Sequence, residues 1–137
     1  MTKTIKALRL QQPFGLDNIR VTEIADPGMP AAGEVRVRIK ASSLNFHDYA
    51  VAAGYIPTED GRIPLADGAG VVEAVGEGVD EFKVGDAVVS TFFPHWLSGP
   101  APIADFRTTP GDGVDGYARE VVVCPAHFFT QQPQGYT

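Results

Sequence analysis

The sequence predicts a mainly β domain, a small irregular barrel with one or two short helices. Three observations carry this. The apolar runs are short and are separated by turn formers, among them fifteen glycines and eleven prolines. One run alternates strictly between apolar and charged residues. Only one stretch, from Asn45 to Gly54, changes to helical spacing. A chain of 137 residues that is 44% hydrophobic can fill one core. At 20% charged residues it is not the composition of a disordered chain.

Thr4 to Leu10 reads as a first strand and Ile19 to Ile24 as its partner, with Gln12-Pro13-Phe14-Gly15 as turn material between them. Asp26-Pro27-Gly28-Met29-Pro30 and Gly33 form a loop. From Glu34 to Leu44, Val35, Val37, Ile39 and Ala41 alternate with Arg36, Arg38 and Lys40, which predicts one buried face and one in water. Phe46, Tyr49, Ala50 and Ala53 then repeat at helical spacing. Asn45 suits the N-cap, Asp48 lies where a carboxylate favours a helix N-terminus, and Gly54 can end the helix. Val71 to Val75 is the next strand. Phe82 to Asp86 holds a Lys-Val-Gly-Asp turn, and Ala87 to Phe93 is another strand. Phe92 to Asp115 is a long loop punctuated by Pro94, Pro100, Pro102 and Pro110. Tyr117 to Cys124 is the last strand expected, and no internal repeat is visible. Many short strands with one short helix make the irregular barrel.

A net charge of −6 leaves no basic surplus to displace counterions, so the chain is not read as a nucleic-acid binder. The N-terminus Met1-Thr2-Lys3-Thr4-Ile5-Lys6 leads into no apolar signal segment. No apolar stretch approaches the ~18 residues that cross a bilayer, so no membrane partner is expected. The single cysteine, Cys124, cannot form an internal disulfide, which fits a cytoplasmic protein. The C-terminal run Gln131-Gln132-Pro133-Gln134-Gly135-Tyr136-Thr137 closes no structural element, as if the chain were cut there.

Two pieces of a phosphate-binding glycine pattern occur, Gly68-Ala69-Gly70 and Gly76-Glu77-Gly78. Their third glycine positions hold Glu73 and Glu81, and no helical pattern follows, so both read as glycines that allow tight β bends. His47, His95, His127 and Cys124 have none of the spacings that gather a metal. His95 and His127 read as surface loop residues and Cys124 as a small buried hydrophobe. Glu59-Asp60 and Asp80-Glu81 read as solvated turn acids. His47, in the first turn of the helix beside Asn45 and Asp48, is either an ordinary helix-face histidine or a proton donor near neutral pH. Phe92, Phe93 and Trp96 at a strand exit can wall an apolar pocket, fill a core or await a partner.

The run from Gly33 to Asp48, GEVRVRIKASSLNFHD, resembles the start of a medium-chain dehydrogenase/reductase. So does the run from Ile63 to Val79, IPLADGAGVVEAVGEGV, with Phe82-Lys83-Val84-Gly85-Asp86 after it. Asp115-Gly116-Tyr117-Ala118-Arg119-Glu120 resembles that superfamily's later glycine-aromatic-alanine-glutamate motif. The resemblance covers most of residues 4–130. It implies a GroES-like (chaperonin-10-like) catalytic domain over residues 1–130 and the start of a linker at 131–137. A Rossmann domain binding NAD(P)(H) would then follow.

The chain departs from the zinc alcohol dehydrogenases of that superfamily. Asn45 stands where they have a ligating cysteine, and Leu65-Ala66-Asp67 stands where they have Gly-His-Glu. The four-cysteine lobe is replaced by the loop from Phe93 to Asp115. Asn45-x-x-Asp48 resembles the zinc-free quinone oxidoreductase branch instead. The resemblance thus implies no zinc, and Asn45 and His47 as catalytic residues. Asn45, Phe46 and His47 would lie at the cofactor, and Phe92 and Phe93 at the substrate pocket. The implied partner is a small carbonyl or quinone substrate, and the implied parent enzyme is a homodimer, with the isolated piece inactive. The alternative expectation is a free-standing barrel that serves as a binding or assembly module.

Overall fold

The computed structural model describes residues 2–101 and 106–137, so Met1 and Pro102 of the readings above lie outside it. Among the described residues seven strands form two sheets beside one α-helix, and every strand-to-strand pairing is antiparallel. Strand β1 (Thr4–Leu10) pairs with β2 (Ile19–Ala25) over their full lengths as a hairpin. The main sheet holds β3 (Glu34–Ala41), β4 (Ala69–Val75), β5 (Ala87–Ser90), β6 (Val121–Pro125) and β7 (Phe129–Gln131) in the order β6-β3-β4-β5-β7. The hairpin joins this sheet through residues 118–120: Leu8 N–H donates to the Ala118 carbonyl, and Glu120 N–H donates to that of Lys6. This is the mainly β architecture expected.

Alternation in β3 builds the core. Val35 pairs with Val75 and Cys124, and Val37 pairs with Val72 and Val122. These side chains pack with Val88, Tyr117 and Phe129 in one cluster. Each fully buried valine contributes roughly 1.5–3 kcal/mol. The expected wet face of β3 fails at Arg36, which is buried. Asp26 takes its Nη1 at 2.6 Å and its Nη2 at 3.0 Å, and Glu73 on β4 takes its Nε at 2.9 Å. Glu73 also pairs with Arg38. A guanidinium so saturated can leave water where an unpaired one cannot. Ala41, expected inside, is exposed at the strand's frayed end.

The helix α1 (Phe46–Ala52) is where its pattern placed it, with Gly54 beyond it at φ +85°. Its buried face differs from the expected one. Val51 and Ala52 pack with Leu10 of the hairpin, while Phe46 and Tyr49 point outward. Strand β5 stops at Ser90, short of Phe93, and the Tyr117–Cys124 reading resolves into a bridge at Arg119 followed by β6. That strand is not the last, because β7 follows it and pairs with β5. Neither Gly70 nor Gly76 opens to a ligand. A Cβ on Gly70 would lie 2.1 Å from the Arg38 carbonyl oxygen, and one on Gly76 would lie 1.7 Å from that of Ala31. Close backbone approach explains these glycines.

Candidate functional site

The site forms where the N-terminus of α1 meets the segment 63–67 and the loop that ends at Asp115. Asp48 holds the first two together. Its Oδ2 accepts the Asn45 N–H at 2.8 Å, and its Oδ1 accepts the Ala66 N–H at 2.9 Å, with the side chain buried. Asp48 is therefore more than a favourable first-turn charge: it clamps the helix to the chain that carries Asp67. On the other side, segment 63–65 offers its carbonyls to the N–H groups of Gly116, Tyr117 and Ala118. Leu65 sits at φ +77°, a left-handed conformation that costs a side-chain-bearing residue about 1–2 kcal/mol. It is gripped on both sides, since its carbonyl oxygen lies 2.3 Å from where a Cβ on Gly116 would be.

Asp67 is the hub of the first half of the site. Its Oδ2 accepts the Asn45 amide Nδ2–H at 2.9 Å and the Ser43 hydroxyl at 2.7 Å, and its carbonyl accepts the Ser42 hydroxyl at 2.7 Å. Asn45 is partly exposed, and Leu44 and Phe46 beside it are exposed at 86% and 80%. The Asn45 side-chain carbonyl caps the helix by accepting the Asp48 N–H, which leaves the second amide N–H at the edge of an open apolar surface.

His47 is the hub of the second half. Its Nε2 lies 3.1 Å from the Asp112 carboxylate, and both side chains are mostly buried. The Phe106 ring stacks on its face at 5.0 Å, and Phe92 meets it edge-on at 5.9 Å. Phe93 packs against Phe92 and Phe106 at 4.8 and 5.8 Å. The structure thus places His47, Phe92 and Phe93 together and leaves Asn45 one step away at the same helix end. It does not bring in Trp96. That ring lies outside the cluster with its indole N–H on the Gly99 carbonyl, and Phe106 takes the place expected of it.

Asp112, Phe106, Ser43 and Asp67 were not singled out as site residues. Asp67 had a signal, since it occupies the third place of the triplet aligned with Gly-His-Glu. Asp112 had only its glycine neighbours. His95 and His127 are exposed, as expected, and Cys124 is buried, with burial pushing its thiol up to about 12. Among the described residues no three histidine, cysteine or acidic side chains gather as a metal-ligand group.

The profile of the alcohol dehydrogenase GroES-like domain matches residues 31–134. The chain belongs to that family. A zinc-type alcohol dehydrogenase-like protein of Schizosaccharomyces pombe is 35% identical over 122 residues, which cover 88% of this chain and 35% of that protein. A Sinorhizobium meliloti structure assigned to the alcohol dehydrogenases superposes with a TM-score of 0.83 at 31% identity, over 100% of this chain and 41% of that one. A quinone oxidoreductase from Pseudomonas syringae gives 0.68 at 29% identity, over 97% and 35%. The chain spans well under half the length of these relatives. Among the described residues no helix is long and apolar enough to cross a membrane.

Proposed function

We propose that this chain is the catalytic domain of a zinc-independent oxidoreductase that moves a hydride between NAD(P)(H) and a carbonyl-type substrate, such as a quinone or an enone. The observation that carries this reading is the Asn45–Asp67 hydrogen bond at the place where the resemblance puts metal ligands. A catalytic zinc needs three protein ligands and an open position. Here the first position is an amide that donates a hydrogen to Asp67, and the second is the Ala66 methyl, whose backbone N–H serves Asp48. One carboxylate remains, already engaged by Asn45 and Ser43. The donor set does not fit zinc.

The residues fit the ring end of a nicotinamide cofactor better than its phosphates. The exposed Phe46 and the second amide N–H of Asn45 suit a flat carboxamide-bearing ring, whereas Gly70 and Gly76 are closed by backbone. When bound, the nicotinamide supplies or accepts the hydride. The chain's own residues must then meet the charge that develops on the substrate oxygen, which needs hydrogen-bond donors or a proton source. Asn45 orients through its second amide N–H. His47 holds a proton that it can give to that oxygen, and Phe92, Phe93 and Phe106 form a dry wall around it.

The test uses protein expressed from its complete reading frame, incubated with NADH or NADPH and a panel of quinones, enones, aldehydes and ketones. Loss of absorbance at the reduced nicotinamide band is the expected result, and Asn45→Ala lowers kcat by roughly 10–100-fold. No turnover of any of the four classes with either cofactor overturns the reading. The 137-residue chain alone is expected to be inactive.

A further inference from the structure

We propose that Asp112 is a positioning residue that fixes the tautomer of His47 and thereby selects the nitrogen that transfers the proton, a role that rests on the oxidoreductase reading above. The pair is 3.1 Å apart, with the His47 side chain 17% and the Asp112 side chain 8% exposed. A buried carboxylate needs a donor, and His47 Nε2 is the one within reach of Oδ2 among the described residues. An ionised carboxylate only accepts, so Nε2 carries the hydrogen and Nδ1 is left as the nitrogen that gains and loses a proton.

Asp112 does not owe its place to His47. Its carbonyl accepts the Thr58 hydroxyl at 2.7 Å, and its N–H donates to the Thr109 carbonyl at 3.2 Å. The glycines on either side are locked by backbone. A Cβ on Gly111 would lie 2.8 Å from Leu65 N, and one on Gly113 would lie 2.0 Å from the Arg107 carbonyl oxygen. The turn is therefore held against segment 63–67 and delivers the carboxylate to the helix end already oriented. A preset partner that orients a working imidazole is what efficient proton transfer requires.

In the reducing direction, the hydride forms a bond to the substrate carbon and its π electron pair moves onto the carbonyl oxygen. The imidazolium Nδ1–H then gives its proton to that oxygen, leaving a neutral ring still hydrogen-bonded to Asp112 through Nε2–H. Water returns the proton to Nδ1. The substrate gains two electrons and two hydrogens, one as the hydride that a bound nicotinamide would supply and one as the proton from His47 Nδ1. Oxidation runs the same steps backwards.

Three readouts separate this role from plain structure. In the 137-residue chain at pH 8.5, where imidazole is ordinarily neutral, long-range proton–nitrogen spectra should show His47 protonated at Nε2. Asp112→Asn should shift it to a mixture or to the other tautomer. In the enzyme from the complete reading frame, Asp112→Asn should lower kcat about 10²–10⁴-fold with KM changed less than about threefold. Formate should restore part of the activity of Asp112→Ala, which a purely structural loss would not allow. An Nδ1–H tautomer in the wild type, an unaltered tautomer in Asp112→Asn, or an unaltered kcat overturns the proposal. An enzyme without oxidoreductase turnover sinks the functional reading instead, while the spectra still decide the tautomer. Equal melting temperatures for wild type and Asp112→Asn confirm that the comparison is between folded proteins.

Discussion

Replacing Asp48 with alanine should both destabilise the domain and disorganise its site. Two N–H donors lose their acceptor at once, that of Asn45 at 2.8 Å and that of Ala66 at 2.9 Å. Ala66 is fully buried, so water cannot readily replace the carboxylate there. Hydrogen bonds to a charged group are worth about 1.5–3 kcal/mol each, and a buried donor left alone forfeits its hydration as well. The two together put the cost of Asp48→Ala at about 3–5 kcal/mol. Unfolding entropies of ~2.1 cal/mol/K per residue convert this to a fall in Tm of roughly 10–17 °C for a chain of this length. Asp48→Asn keeps one acceptor oxygen and turns an N–H toward the second donor, so about half the loss is expected. Circular-dichroism melts of the three proteins give the Tm values, and amide exchange at Asn45 and Ala66 reports the clamp itself. An Asp48→Ala protein that melts within ~3 °C of the parent, or keeps both amides protected, would refute the clamp.

Stability should also fall in acid. The hydrogen bond from Arg36, with help from the Gly28 N–H, holds the Asp26 carboxyl well below the usual carboxylate range. Burial raises Glu73, but its hydrogen bonds to Arg36 and Arg38 outweigh that and leave it lowered. Both groups release protons more readily when folded. Their contribution is therefore complete above the unfolded values of about 4 and is lost as pH falls through the folded ones. Urea midpoints should drop between about pH 4.5 and 2, and Asp26→Asn should flatten that drop; equal slopes for the two proteins would contradict it. Gly70→Ala pushes a Cβ to 2.1 Å from the Arg38 carbonyl oxygen in the centre of the sheet. A loss of about 1–3 kcal/mol or more is expected in the same urea titration, and an unchanged midpoint would argue against so close a β3–β4 approach. Cys124, buried and with its thiol raised to about 12, should resist a disulfide-exchange reagent at pH 8 and react at once in urea. Rapid labelling of the native chain would place Cys124 at the surface.

Local patterns were legible where their causes were local. Val35 and Val37 alternate because the sheet buries one face, and the helix could be read from its cap at Asn45 to its stop at Gly54. The burial of Arg36 was hidden because its partners, Asp26 and Glu73, come from a loop and another strand. The helix face was misread for a similar reason. Apolar spacing pointed to Phe46 and Tyr49, but the hairpin lies against Val51 and Ala52. Strand β7 is three residues long and exists because β5 offers an edge, which no periodicity announces. At the site, the residue types that carry general chemistry, His47 and Asn45, stood out. Asp112 did not, because only the turn between Gly111 and Gly113 brings it 65 residues along the chain to His47.

In the proposed reaction the Asn45 amide and the His47 proton act without a metal. Turnover by the enzyme from the complete reading frame, followed before and after dialysis against a strong zinc chelator with the metal content measured alongside, tests it directly. Far less than one zinc per active site and a kcat unchanged by chelation are expected. One zinc per site whose removal abolishes turnover, and whose return restores it, would contradict it.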